Sequence, residues 1–196
     1  MSDTDQTVYI VSGLPRSGTS MMMQMLEAGG LQIVTDNIRT ADDDNLQGYF
    51  EFERIKQLKE GDSAWMEQVS GKVLKIISAL LEHLPDRYHY KIIFMERDLS
   101  EVLASQRKML ERRGKPANQE EDVMFSNLYK KHLIKVKAWL SGKTNFDVIY
   151  ISYKDLLENP KRYSEDIARF IEAPLDIQKM ANVPQEKFYR QRSFSS

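Results

Sequence analysis

Four short runs rich in β-branched residues recur along the chain: VYIVS from Val8, KVLKII from Lys72, KIIFME from Lys91 and FDVIYIS from Phe146. Each is separated from the next by a longer segment that includes residues with helical spacing. Runs that are apolar almost throughout, instead of alternating with polar residues, suit strands covered on both faces, and strands separated by helices suit parallel pairing. The expected architecture is therefore α/β, with three layers and a mainly parallel central sheet.

The helices carry their own end signals. The first is expected from about Thr19 to Ala28, stopping at Gly29-Gly30. A second starts after Asp98, with Glu101 three residues on as in a capping box, and ends near Gly114. A third runs from about Glu120 to near Gly142, and a fourth opens at Asn159-Pro160, a cap followed by a first-turn proline. The methionines of MMMQM, Met21 to Met25, read as core filler of the first helix. No repeat or Pro/Gly/Ser-rich linker divides the 196 residues, so a single domain over 1–196 is expected. One long polar stretch, Thr35 to Gly48, reads as a functional or mobile loop.

Charge and cysteine content narrow the partners. With 28 Lys and Arg against 29 Asp and Glu, the net charge of -1 gives no reason to expect nucleic acid. The absence of cysteine excludes disulfides, thiolate metal sites and cysteine nucleophiles. An acidic start without a signal-peptide pattern, and no apolar run of membrane-spanning length, point to a cytoplasmic protein with no membrane partner.

The segment after the first strand is the most specific. Gly13 to Ser20 reads G-L-P-R-S-G-T-S, the glycine spacing of a phosphate-binding loop, G-x-x-x-x-G-K-[ST], with Thr19 at the lysine position. Glycines let the chain wrap so that backbone N–H groups converge, and the following helix adds its unpaired amides and positive dipole end. Ser17, Thr19 and Ser20 offer hydroxyls and Arg16 a charge, so an anion site is expected over a plain strand-to-helix turn. Without the lysine, NTP hydrolysis is disfavoured, while binding of a differently built phosphorylated donor is not. Arg97, at the carboxyl end of a strand, and Ser105, two helical turns on, are placed to clamp a second phosphate. For Arg97-Asp98 the plainer alternative is a local ion pair at a helix cap.

GLPRSGTS is similar to the P-R/K-S-G-T-[ST] loop of the sulfotransferase family. MERDLSEVLASQ resembles that family's 3′-phosphate motif, an arginine ending a strand followed eight residues later by a serine, here Arg97 and Ser105. YKDLLENP resembles its Y-E-D-L-x-x-x-P segment. The resemblance spans Val8 to Pro160. It implies a P-loop NTPase-like fold and transfer of a sulfuryl group from 3′-phosphoadenosine 5′-phosphosulfate (PAPS) to a hydroxyl or amine of a small-molecule acceptor, without a metal. It implies a donor site of Arg16, Ser17, Gly18, Thr19, Ser20, Arg97 and Ser105, with Tyr153 near the adenine. Arg16 and Lys75, the latter like the lysine of the L-K-T-H motif, are placed against the transferring group. Where cytosolic members carry the basic histidine stands Ile77, and His83 and His132 read as surface or core residues. The candidate base is Glu51, with Glu53 and Asp44 behind it, on the Asp36 to Phe52 side from which an acceptor would approach. The C-terminal R-K-G motif is missing, with Arg190 and Arg192 in its region. The competing readings are a nucleoside or metabolite kinase using ATP and a non-catalytic nucleotide-binding protein.

Overall fold

A computed structural model describes residues 7–36, 50–115 and 121–184. Four strands, β1 (Thr7–Gly13), β2 (Val73–Ile77), β3 (His89–Glu96) and β4 (Phe146–Ser152), form one sheet in the order β2-β1-β3-β4. All three pairings are parallel, with Val11 opposite both Lys75 and Ile93 and Met95 opposite Ile151. The helices are α1 (Thr19–Ala28), α2 (Leu99–Arg112), α3 (Asp122–Ser141), α4 (Tyr153–Glu158), α5 (Pro160–Ile171) and α6 (Ile177–Ala181). Shorter 3-10 segments cover Glu53–Glu60, Ala64–Gln68 and Ser78–His83.

Two cores sit on opposite faces of the sheet, giving the three layers. On one, Ile10, Leu74, Ile76, Ile92 and Phe94 pack with Val136 and Leu140 of α3 and with Trp65 and Met66. On the other, Val11, Val73, Ile93 and Met95 pack with α1, α5 and α6. Met22, Met23 and Met25 of α1 are wholly buried there, and burial of each stabilises the fold by about 1.5–3 kcal/mol. β4, at the sheet edge, departs from the fully covered pattern: Asp147 and Tyr150 are exposed. Ser12, in the central strand, is fully buried, and its hydroxyl has no hydrogen-bond partner among the described residues. Such a group costs about 1–3 kcal/mol.

The ends follow the sequence closely. α3 opens at Asp122, with Glu121 as its cap. At α2, Asp98 caps the helix by accepting from the Ser100 amide at 2.8 Å, and the Glu101 carboxylate accepts from Arg97 Nε at 2.9 Å. Tyr153, directly after β4, opens α4 behind Ser152, whose hydroxyl accepts from the Asp155 amide. All four strands point their carboxyl ends to one edge. The strand order reverses between β1 and β3, where open α/β sheets bind ligands.

Candidate functional site

The connection from β1 to α1 lies at that reversal. Gly13 leaves the strand at φ 147, where a Cβ would come within 2.6 Å of both the Met95 carbonyl oxygen and the Ser17 Oγ. Ser17, only 2% exposed, folds the turn back by donating its amide (3.2 Å) and its hydroxyl (2.7 Å) to the Leu14 carbonyl. The Ser17 hydroxyl proton thus shapes the loop. Arg16 (φ 73) and Gly18 (φ 99) both adopt left-handed backbone, and Gly18 caps α1 without any side-chain bond. Since the first bond of α1 runs from the Met22 amide to the Gly18 carbonyl, the amides before Met22 stand at the loop without a helical acceptor, which suits an anion. The Lys75 Nζ reaches across from β2 to the Ser20 hydroxyl at 3.4 Å.

The second half of the site comes from β3 and α2. Arg97 Nε donates to Glu101 Oε2 at 2.9 Å in a pair whose side chains are 9% and 3% exposed. Its Nη1 donates to the Arg16 carbonyl at 3.2 Å, and its Cζ lies 4.5 Å from the Tyr153 ring centroid. Arg16 Nε in turn donates to Ser105 Oγ at 3.0 Å, tying the loop to α2. Burial raises the Tyr153 phenol above its ordinary pKa, with Arg97 opposing that shift.

The loop of Gly13 to Ser20, bonded to Arg97 and Ser105, lies inside a stretch, residues 6–195, that the model of the sulfotransferase domain matches. The chain belongs to the sulfotransferase domain family. Among solved structures, it is similar to mouse sulfotransferase SULT7A1 complexed with PAP, at 16% identity and TM-score 0.58, over 92% of this chain and 63% of that one. It is also similar to sulfotransferase STF9 from Mycobacterium avium, at 13% identity and TM-score 0.54, over 98% of this chain and 70% of that one. At these identities the likeness is one of fold. No curated protein matches the sequence. The chain thus spans less than two thirds of the length of the mouse protein.

Within this sulfotransferase domain the candidates from sequence fall into groups. Arg16, Gly18, Ser20, Lys75, Arg97, Ser105 and Tyr153 are joined by the contacts above, and Thr19 opens α1 beside them. Tyr153 is 5% exposed, with its ring beside Gly18 and beneath Arg97, so it lies against the Gly13 to Ser20 loop. Glu51 is fixed through its backbone, its carbonyl accepting from the Thr35 hydroxyl (3.0 Å) and the Asp36 amide (3.2 Å). Glu53 pairs with Lys56 at 2.5 Å on the surface. Asp44, Arg190 and Arg192 lie outside the described residues.

Ile77, at the position of the family histidine, is 44% exposed at the sheet edge. His132 bonds Ser78 at 2.8 Å beside a cavity of about 100 Å³ between α3 and Ser78–His83, and burial lowers its pKa. Glu101 is the site residue that sequence reasoning placed in a cap. Its i,i+4 spacing from Arg97 was the available signal.

Proposed function

We propose that this protein is a sulfotransferase that moves a sulfuryl group from PAPS to a hydroxyl or amine of a small-molecule acceptor without a metal. The observation that carries the reading is the direct joining of two anion-binding elements: Arg97 bonds the Arg16 carbonyl, and Arg16 bonds Ser105. A donor with a 5′-phosphosulfate and a 3′-phosphate has two anionic groups to place on one ribose, and this arrangement offers two adjacent cationic places for them. The kinase alternative lacks the loop lysine, since Thr19 stands there.

In the proposed reaction the acceptor oxygen or nitrogen forms a bond to sulfur as the bond from sulfur to the 5′-phosphate oxygen breaks. The acceptor proton passes to a base, and 3′-phosphoadenosine 5′-phosphate leaves. The α1 amides, Arg16 and Lys75 meet the charge that grows on the leaving oxygen. Glu51 is the proposed base.

Calorimetry with 3′-phosphoadenosine 5′-phosphate, beside ATP with magnesium, tests the donor. The bisphosphate is expected to bind without metal and to lose about tenfold or more in affinity in Arg97→Ala, the loss of a charged hydrogen bond. Preference for ATP with magnesium, or binding of neither, overturns the reading. Glu51→Gln is expected to bind the bisphosphate within about twofold of wild type while PAPS turnover falls by about 10²-fold or more. Unchanged turnover removes Glu51 from the mechanism.

A further inference from the structure

We propose that Arg97 is a brace for the 5′-phosphate loop as well as a partner for the 3′-phosphate, and that Glu101 is the positioning residue that makes the brace possible. The inference rests on the reading of Gly13 to Ser20 as the donor's phosphate loop, and it adds that the two subsites are not independent.

A guanidinium is a rigid plane with five donors, so fixing one edge and one face fixes where the remaining donors point. Glu101 fixes the Nε edge of Arg97 at 2.9 Å, in a pair nearly closed to solvent. Tyr153 covers one face, with the Cζ 4.5 Å from its ring centroid. The Nη1 is thereby directed to the Arg16 carbonyl at 3.2 Å.

That carbonyl is not an ordinary acceptor. Arg16 is a non-glycine residue at φ 73, a conformation that persists only when its surroundings hold it. The peptide joining Arg16 to Ser17 is held on both sides, its oxygen by Arg97 and its N–H by the Leu14 carbonyl at 3.2 Å. The next residue, Gly18, lies so close to Tyr153 that a Cβ would come within 2.3 Å of the ring. Arg97 and Tyr153 therefore hold Arg16 and Gly18, on either side of Ser17, in the left-handed conformations that present the following amides to an anion. Glu101 lies one helical turn before Ser105, which itself accepts from Arg16, so α2 holds the loop from one face, directly through Ser105 and through Arg97 by way of Glu101.

A purely 3′-phosphate role for Arg97 makes a different forecast. Its loss would then weaken only ligands that carry the 3′-phosphate. The brace predicts that ligands lacking it suffer too.

The test uses the full chain as wild type, Arg97→Lys and Glu101→Gln, each first checked for cooperative melting. Hydrogen exchange of the unliganded proteins reads the loop directly. The amides of Arg16 to Ser20 are expected to exchange about tenfold faster in both variants, with core strand amides unchanged. Calorimetry with adenosine 5′-phosphosulfate, which has no 3′-phosphate, is expected to show about a fivefold or greater loss of affinity in both variants. Glu101→Gln keeps Arg97 and the side-chain size, so it carries the test if Arg97→Lys does not fold. Wild-type exchange in the loop, or adenosine 5′-phosphosulfate affinity within twofold of wild type beside weakened 3′,5′-bisphosphate binding, overturns the brace and leaves the donor reading standing. Failure of the wild type to bind either nucleotide overturns the donor reading instead, and the exchange result still decides whether Arg97 and Glu101 hold the loop.

Discussion

Gly18→Ala is expected to lower the melting temperature by about 5–15 °C and to remove measurable binding of 3′-phosphoadenosine 5′-phosphate. Two costs add at this residue. The backbone stands at φ 99, which a side-chain-bearing residue adopts at a cost of about 1–2 kcal/mol. The new Cβ would lie 2.3 Å from Tyr153 Cδ2 and 2.8 Å from Cε2, so either the ring or the loop must move, at about 1–3 kcal/mol. The ring has little room, since Tyr153 is 5% exposed and Arg97 lies on its face. The loop is the part that yields, and with it the amides at the start of α1. The two costs separate in a double-mutant cycle with Tyr153→Leu, which removes part of the overlap and none of the backbone strain. Thermal melting and calorimetry on the four proteins check this. A Gly18→Ala protein that melts and binds like wild type would show that Tyr153 does not press on the loop.

Much of this site is legible in the sequence because its parts are local. Gly13 and Gly18 announce the loop by their spacing, and Ser17, Thr19 and Ser20 fall inside the same eight residues. Strands β1 and β3 are recognisable as apolar runs because both of their faces are covered. What the sequence leaves open depends on contacts between elements. Glu101 has the spacing of a capping residue, and only a folded β3–α2 corner shows its carboxylate meeting Arg97. Tyr153 follows a β-branched run, and nothing local tells where its ring lies. The Ser152 hydroxyl, by capping α4, turns it inward onto Gly18. The exposed residues of β4 follow from its place at the sheet edge, which strand order decides and local pattern does not.

Lys75→Met is expected to reduce PAPS turnover by about 10²–10³-fold, the usual loss when one donor to a developing oxyanion is removed. Lys75 is a charged residue inside a strand whose neighbours Val73, Leu74 and Ile76 are 0–1% exposed. Burying its stem there while its Nζ reaches Ser20 at 3.4 Å brings a positive charge to the first turn of α1. A lysine serving only the packing of β2 would be replaced by methionine without loss, because methionine keeps the length of the stem and fills the same space. Stability therefore separates the two roles. The variant should melt at or above the wild-type temperature, since a partly buried charge has been removed, while turnover falls. Affinity for 3′-phosphoadenosine 5′-phosphate should fall less than about tenfold, because a charge aimed at the oxygen that leaves acts more on the transition state than on the bound product. Release of 3′-phosphoadenosine 5′-phosphate from PAPS, followed with water as the acceptor, provides the rate. If that rate stays within threefold of wild type, Lys75 has no part in the transfer, and its contact with Ser20 only holds β2 against α1.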